Sequence, residues 1–93
     1  MEWRHVEGKD KGDVKVFALS TCIWCQKTIH FIETSHVDYR FVYVDHLEGK
    51  ERDEVLDEMK KYVSDLSFPV VVVNEDTVIQ GYKEDEIRSA LGV

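Results

Sequence analysis

Two short stretches of the chain are almost wholly apolar, Val14–Leu19 (Val-Lys-Val-Phe-Ala-Leu) and Val70-Val71-Val72-Val73. A brief, near-continuous apolar run predicts a central strand covered on both faces. Tyr39–Asp45 mixes β-branched and aromatic residues and predicts another strand. Thr77-Val78-Ile79-Gln80 follows the turn residues Asn74-Glu75-Asp76 and predicts the return strand of a hairpin. Helical spacing governs the segments between. A helix over Cys22–Thr34, capped by Ser20 or Thr21, aligns Cys25, Ile29, Ile32 and His36 on one side, with Phe31 nearby. A second, over Gly49–Lys61, carries Val55, Leu56 and Met59, with Tyr62 and Val63 continuing the spacing. Gly81 breaks the chain before a last helix, Glu84–Leu91, whose Ile87 and Leu91 face inward.

The element order is therefore β-α-β, then α, then β-β-α. It predicts an α/β fold whose first β-α-β unit is parallel and right-handed and whose hairpin is antiparallel. At 93 residues the chain is expected to form a single domain, 1–93. The charged, glycine-flanked turn Gly8–Asp13 separates an N-terminal extension, 1–13, from a core over 14–93. No repeat, linker or low-complexity segment interrupts that core.

Charge narrows the partners. A net charge of −7 repels a nucleic-acid backbone. No apolar run approaches the ~20 residues that span a bilayer. The start of the chain, Met1-Glu2-Trp3-Arg4-His5-Val6, is charged and lacks the apolar stretch of a secretory signal. A cytoplasmic monomer without nucleic-acid or membrane partners is expected.

The chain has two cysteines, and only two residues separate them. A structural disulfide stabilises mainly by closing a long loop, and this loop is very short. Cys22 falls where a buried strand ends and a helix begins, beside unpaired N–H groups and the positive end of the helix dipole. Both favour the thiolate, which is the nucleophile. Cys25 lies about one helical turn on and on the same face, within reach of Cys22. The pair suits a two-step exchange: Cys22 attacks a disulfide, then Cys25 attacks Cys22 and releases the reduced substrate. Half of a zinc site is the rival reading, but no second cysteine pair exists and His30 and His36 do not match finger spacing. No metal and no cofactor is therefore expected. Trp24, between the cysteines, is read as a semi-exposed platform for substrate rather than a core residue.

At Ser20-Thr21-Cys22-Ile23-Trp24-Cys25, with Phe68-Pro69 before the third core strand and Gly81 after the hairpin, the chain resembles the glutaredoxins from Val14 onward. The resemblance implies a thioredoxin fold, a four-stranded mixed sheet of order 2-1-3-4 flanked by three helices. It implies a redox-active disulfide Cys22–Cys25, with Cys22 the nucleophile and Cys25 the resolving residue. It also implies a cis peptide bond at Pro69, opposite Cys22, that leaves the Phe68 backbone free to pair with substrate; Trp24, Phe68, Pro69, Gly81 and Tyr82 are together expected to bind substrate. The sequence departs from the family at Ile23-Trp24, where Pro-Tyr or Pro-Phe is usual. No lysine or arginine stands among Ala18, Leu19, Ser20 and Thr21. Gln80-Gly81-Tyr82-Lys83-Glu84-Asp85 replaces the usual Gly-Gly-x-Asp-Asp for glutathione. In this end the chain is similar to the redoxins that serve ribonucleotide reductase and to archaeal, methanoredoxin-like members.

The expected function is thus dithiol reduction of protein or mixed disulfides. The electron donor, a low-molecular-weight thiol such as glutathione or coenzyme M, or a flavin-dependent reductase, is left open. Two alternatives stand beside it: an iron–sulfur carrier using Cys22 with a small thiol, and a redox-sensing binding module without turnover.

Overall fold

A computed structural model describes residues 3–93. Met1 and Glu2, the start of the predicted extension, lie outside the described residues. In chain order the elements are β1 (Arg4–Val6), β2 (Val14–Ala18), α1 (Ile23–Thr34), β3 (Tyr39–Tyr43), a 3-10 turn (Val44–His46), α2 (Gly49–Met59), β4 (Val70–Val73), β5 (Thr77–Gln80) and α3 (Glu84–Leu91).

The sheet has five strands in the order β1-β3-β2-β4-β5. Its last four reproduce the expected 2-1-3-4 order. β2 pairs parallel with β3 and antiparallel with β4, which closes the hairpin with β5. The expectation of four strands is corrected by β1, which runs antiparallel along β3 with Arg4 opposite Phe41 and Val6 opposite Tyr39. Without β1, the outer edge of β3 would present unpaired backbone groups to solvent.

Alternation along β2 and β4 sorts the core into two layers. Val14, Val16 and Ala18, with Val71, Val73 and Ile79, pack under Ile29 and Ile32 of α1 and Ile87 and Leu91 of α3. Phe17, Val70 and Val72 turn to the other face and meet Val55 and Met59 of α2. Burying each such side chain stabilises the fold by roughly 1.5–3 kcal/mol relative to exposure. Lys15, the one charge in the β2 run, extends past this layer to the carboxylate of Glu58 at 3.3 Å.

Three local expectations are revised. β3 stops at Tyr43, because Val44–His46 curls into a 3-10 turn that buries Val44. α1 begins at Ile23, and its cap is Cys22 rather than Ser20 or Thr21. His36 lies beyond the helix, exposed and at φ 58°, instead of on its buried side.

Candidate functional site

The site grows from the way β2 hands the chain to α1. The Cys22 N–H donates to the carbonyl of Leu19 at 3.2 Å, folding 19–22 into a tight turn. The Cys22 side chain then takes the role usually filled by a serine or aspartate. Its Sγ accepts the N–H of Cys25 at 3.3 Å, one of the helix's unpaired first-turn donors. Cys22 is thus half-buried, with its sulfur in the field of a helix N-terminus.

Cys25 is different. It is 0% exposed within the α1–β2 layer, and its Sγ receives the N–H of Leu19 at 3.5 Å. Burial, followed by the hydrogen bond with the Cys22 sulfur, pushes its thiol up to about 12. Both thiols are free.

The turn is held from outside by a polar cluster. Asp45, on the 3-10 turn after β3, accepts the Ser20 N–H at 2.8 Å and also the Ser20 hydroxyl. These bonds hold the Asp45 carboxyl below the usual carboxylate range. Gln26 Nε2 donates to the Ser20 carbonyl and to the Tyr43 hydroxyl, both at 3.3 Å.

Beside the cysteines an open groove of about 330 Å³ is lined by Trp24, Phe68, Pro69, Gly81, Tyr82 and Lys83. The five residues expected to bind substrate therefore share one cleft. Cys22 does not line it, but packs on the same core layer as Phe68 and Tyr82. Trp24, 54% exposed, stacks on Tyr82 at 6.1 Å between ring centroids and an interplanar angle of 26°. The Lys27 ammonium sits 4.9 Å from the Trp24 ring, a cation–π contact. Ile23 is more open still, at 66%. The Phe68–Pro69 peptide bond is cis, and the Gly81 N–H, at φ 96° on Gly81, donates to the Pro69 carbonyl at 2.8 Å. Gln80 Nε2 anchors the approach to this step by donating to the carbonyls of Asp65 at 2.6 Å and Ser67 at 3.1 Å.

Sequence reasoning missed Lys83 as a groove residue, although it stands next to Tyr82. It also missed the Ser20–Asp45–Gln26 cluster. The β-rich sequence predicts Asp45 as the end of a strand, and no spacing signal links residues so far apart in the chain. Among the described residues no group of three or more His, Cys, Asp or Glu side chains could hold a metal ion. No helix among them is long and apolar enough to cross a membrane.

Comparison with known proteins agrees with this geometry. The glutaredoxin family model matches residues 14–78. The crystal structure of the glutaredoxin from Methanosarcina mazei Go1 superposes with a TM-score of 0.90 at 43% identity, covering 100% of this chain and 90% of that one. Methanosarcina acetivorans methanoredoxin gives 0.89 at 37% identity, over 92% and 90% of the two chains. An uncharacterized glutaredoxin-like 8.6 kDa protein in the rubredoxin operon of Clostridium pasteurianum is 28% identical over 74 residues, 80% of this chain and 91% of that protein. The matched segment runs from the first residue of β2 into β5 and includes both cysteines, the groove's Trp24 and the Phe68–Pro69 step. With that span and these relatives, the chain belongs to the glutaredoxin family and has a thiol–disulfide oxidoreductase kind of activity.

Proposed function

We propose that the chain is a dithiol reductase of protein or mixed disulfides, in which Cys22 attacks and Cys25 resolves. The observation that carries this reading is the unequal setting of two sulfurs one helical turn apart. Cys22 is half-buried at the helix cap and receives an N–H, while Cys25 is fully buried and holds its proton.

The Cys22 thiolate attacks a substrate disulfide, forming one S–S bond and releasing one substrate thiolate. Cys25 then loses its proton and attacks Cys22, closing the intramolecular disulfide and releasing the second thiolate. The substrate gains two electrons and the cysteine pair loses them. A low-molecular-weight thiol or a flavin-dependent reductase restores the dithiol. The groove gives an extended substrate an aromatic wall in Trp24 and Tyr82. Phe68 lies just outside the β4 ladder, and on this reading its backbone pairs with that substrate.

Cysteine replacement tests the assignment. Cys22→Ser is expected to abolish disulfide reduction. Cys25→Ser is expected to react once with a peptide disulfide and stall as a mixed disulfide on Cys22. Mass spectrometry of each variant after exposure to the oxidised peptide reads the adduct. A stable adduct on Cys25 in the Cys22→Ser protein, with none on Cys22 in the other, would reverse the roles.

A further inference from the structure

We propose that Asp45 is a positioning residue for the resolving step: by clamping Ser20 it keeps the Leu19 N–H aimed at the sulfur of Cys25. The inference rests on the dithiol reading above and deepens it.

Three polar groups of Ser20 are held. Its N–H and hydroxyl bond to the Asp45 carboxylate, and its carbonyl accepts from Gln26. Ser20 is the residue immediately after Leu19, whose N–H reaches Cys25 Sγ at 3.5 Å. Fixing the peptide plane on one side of Ser20 therefore limits how far the Leu19 N–H can swing. At 3.5 Å the contact has the ordinary length of a hydrogen bond to sulfur, so what the clamp preserves is its aim.

That donor matters at one moment of the reaction. To attack, Cys25 must release its proton inside the core, where no solvent dipoles reach the new charge. Of the influences acting on this thiol, burial and the Cys22 sulfur oppose ionisation, and the Leu19 N–H favours it. A preset donor aimed where negative charge develops speeds such a step. Asp45 also carries a charge that opposes the Cys25 thiolate. It is exposed, so water screens that charge strongly. Positioning outweighs repulsion on this account, and the two are separable.

In the resolving step the Cys25 electron pair forms the Cys22–Cys25 bond, and the proton that Cys25 gives up is taken by the departing substrate sulfur, which carries it to solvent. The bond between Cys22 and the substrate sulfur breaks, and its pair leaves with that sulfur. No further oxidant is required.

A symmetrical aromatic disulfide whose released thiolate is coloured reports both steps. Reacted with the reduced protein at one equivalent, it releases one thiolate on attack by Cys22 and one on resolution by Cys25. For Asp45→Ala the first phase is expected at the wild-type rate and the second about tenfold slower, as for a weakened hydrogen bond to a forming anion. Asp45→Asn keeps an acceptor for the Ser20 N–H and removes the charge. It is expected to restore the second phase to the wild-type rate or above. A second phase in Asp45→Ala as fast as wild type, or faster, overturns the clamp. So does equal slowing in Ala and Asn, which would show that an acceptor for the Ser20 N–H does not by itself hold the step. Asp45→Asn also keeps the test decisive should the alanine variant fold poorly. No coloured release from the wild-type protein would refute the dithiol reading itself, and the clamp with it.

Discussion

The two ends of the central strand β2 are built on opposite plans. Where β2 begins, polar groups are closed on one another. Asp13 donates its N–H to Asn74 Oδ1 at 3.0 Å, accepts the Asn74 N–H at 2.7 Å, and takes the Arg40 guanidinium at 2.6 Å. Lys9 threads between His36 and Asp38 with backbone bonds of 2.8 and 2.9 Å. Where β2 ends, the chain leaves large apolar side chains in water, Ile23 and Trp24 foremost. A buried thiol lies just beneath them. Isolated exposed apolar residues need no explanation, but here they stand between the two cysteines, and Trp24 also lines the groove. The closed end holds the sheet together, and the open end carries the proposed chemistry.

The sharpest way to break this division is to damage the closed end and ask whether the open end notices. Gly12 has φ 104°, and a Cβ there would lie 2.3 Å from Asn74 Oδ1, the acceptor for Asp13. Gly12→Ala is expected to lower stability by about 2 kcal/mol, through backbone strain and the displaced Asn74. Urea denaturation of the reduced protein reads that loss. Disulfide reduction per folded molecule should be unchanged; a drop there would show that the two ends are coupled.

The reverse experiment strips the open end. Trp24→Ala removes the Tyr82 stack and one wall of the groove. An approximately tenfold fall in kcat/KM for a peptide disulfide is expected, through KM, with stability within about 0.5 kcal/mol of wild type. A large stability loss with intact kinetics would make Trp24 a core residue and dissolve the contrast.

Legibility in the sequence follows the same line. The buried strands were readable because burial on both faces writes a continuous apolar run, as at Val14–Ala18 and Val70–Val73. The cysteine pair was readable because strand end, helix start and spacing are all local. β1 was not, since in Arg4-His5-Val6 only Val6 is even half-buried and the strand is made by its partner. The Cys22 cap was hidden because Ser20 and Thr21 offered better capping chemistry. Ser20 spends that chemistry on Asp45 instead. The placement of Asp45 depends on β3 breaking into a 3-10 turn, which its β-rich sequence does not announce. Such long-range polar contacts are decided by packing, after the periodic signals have done their part.

The smallest expected effect tests how the closed end holds β1. His5 Nε2 lies 2.7 Å from Asp38 Oδ1, and the Gly8 N–H donates to the other oxygen at 3.3 Å. The hydrogen bond from His5 holds the Asp38 carboxyl below its ordinary value. The sign follows from linkage. A carboxylate depressed in the fold stabilises it above the unfolded value near ~3.9, and that contribution is lost as pH falls through the folded value. Acidification should therefore loosen β1 while the cysteine end keeps its structure. Because the pair is exposed the change in global stability is small, and local hydrogen exchange is the better measure. In the wild-type protein, amides of Arg4–Val6 should lose protection on acidification faster than those of β2 and β4, once intrinsic exchange is corrected for. Asp38→Asn should start with weaker protection at neutral pH and show a flatter acid response. Parallel acid profiles in the two proteins would place the hold on β1 in its backbone ladder with β3 alone, and the His5–Asp38 pair would then be an ornament of the closed end rather than part of it.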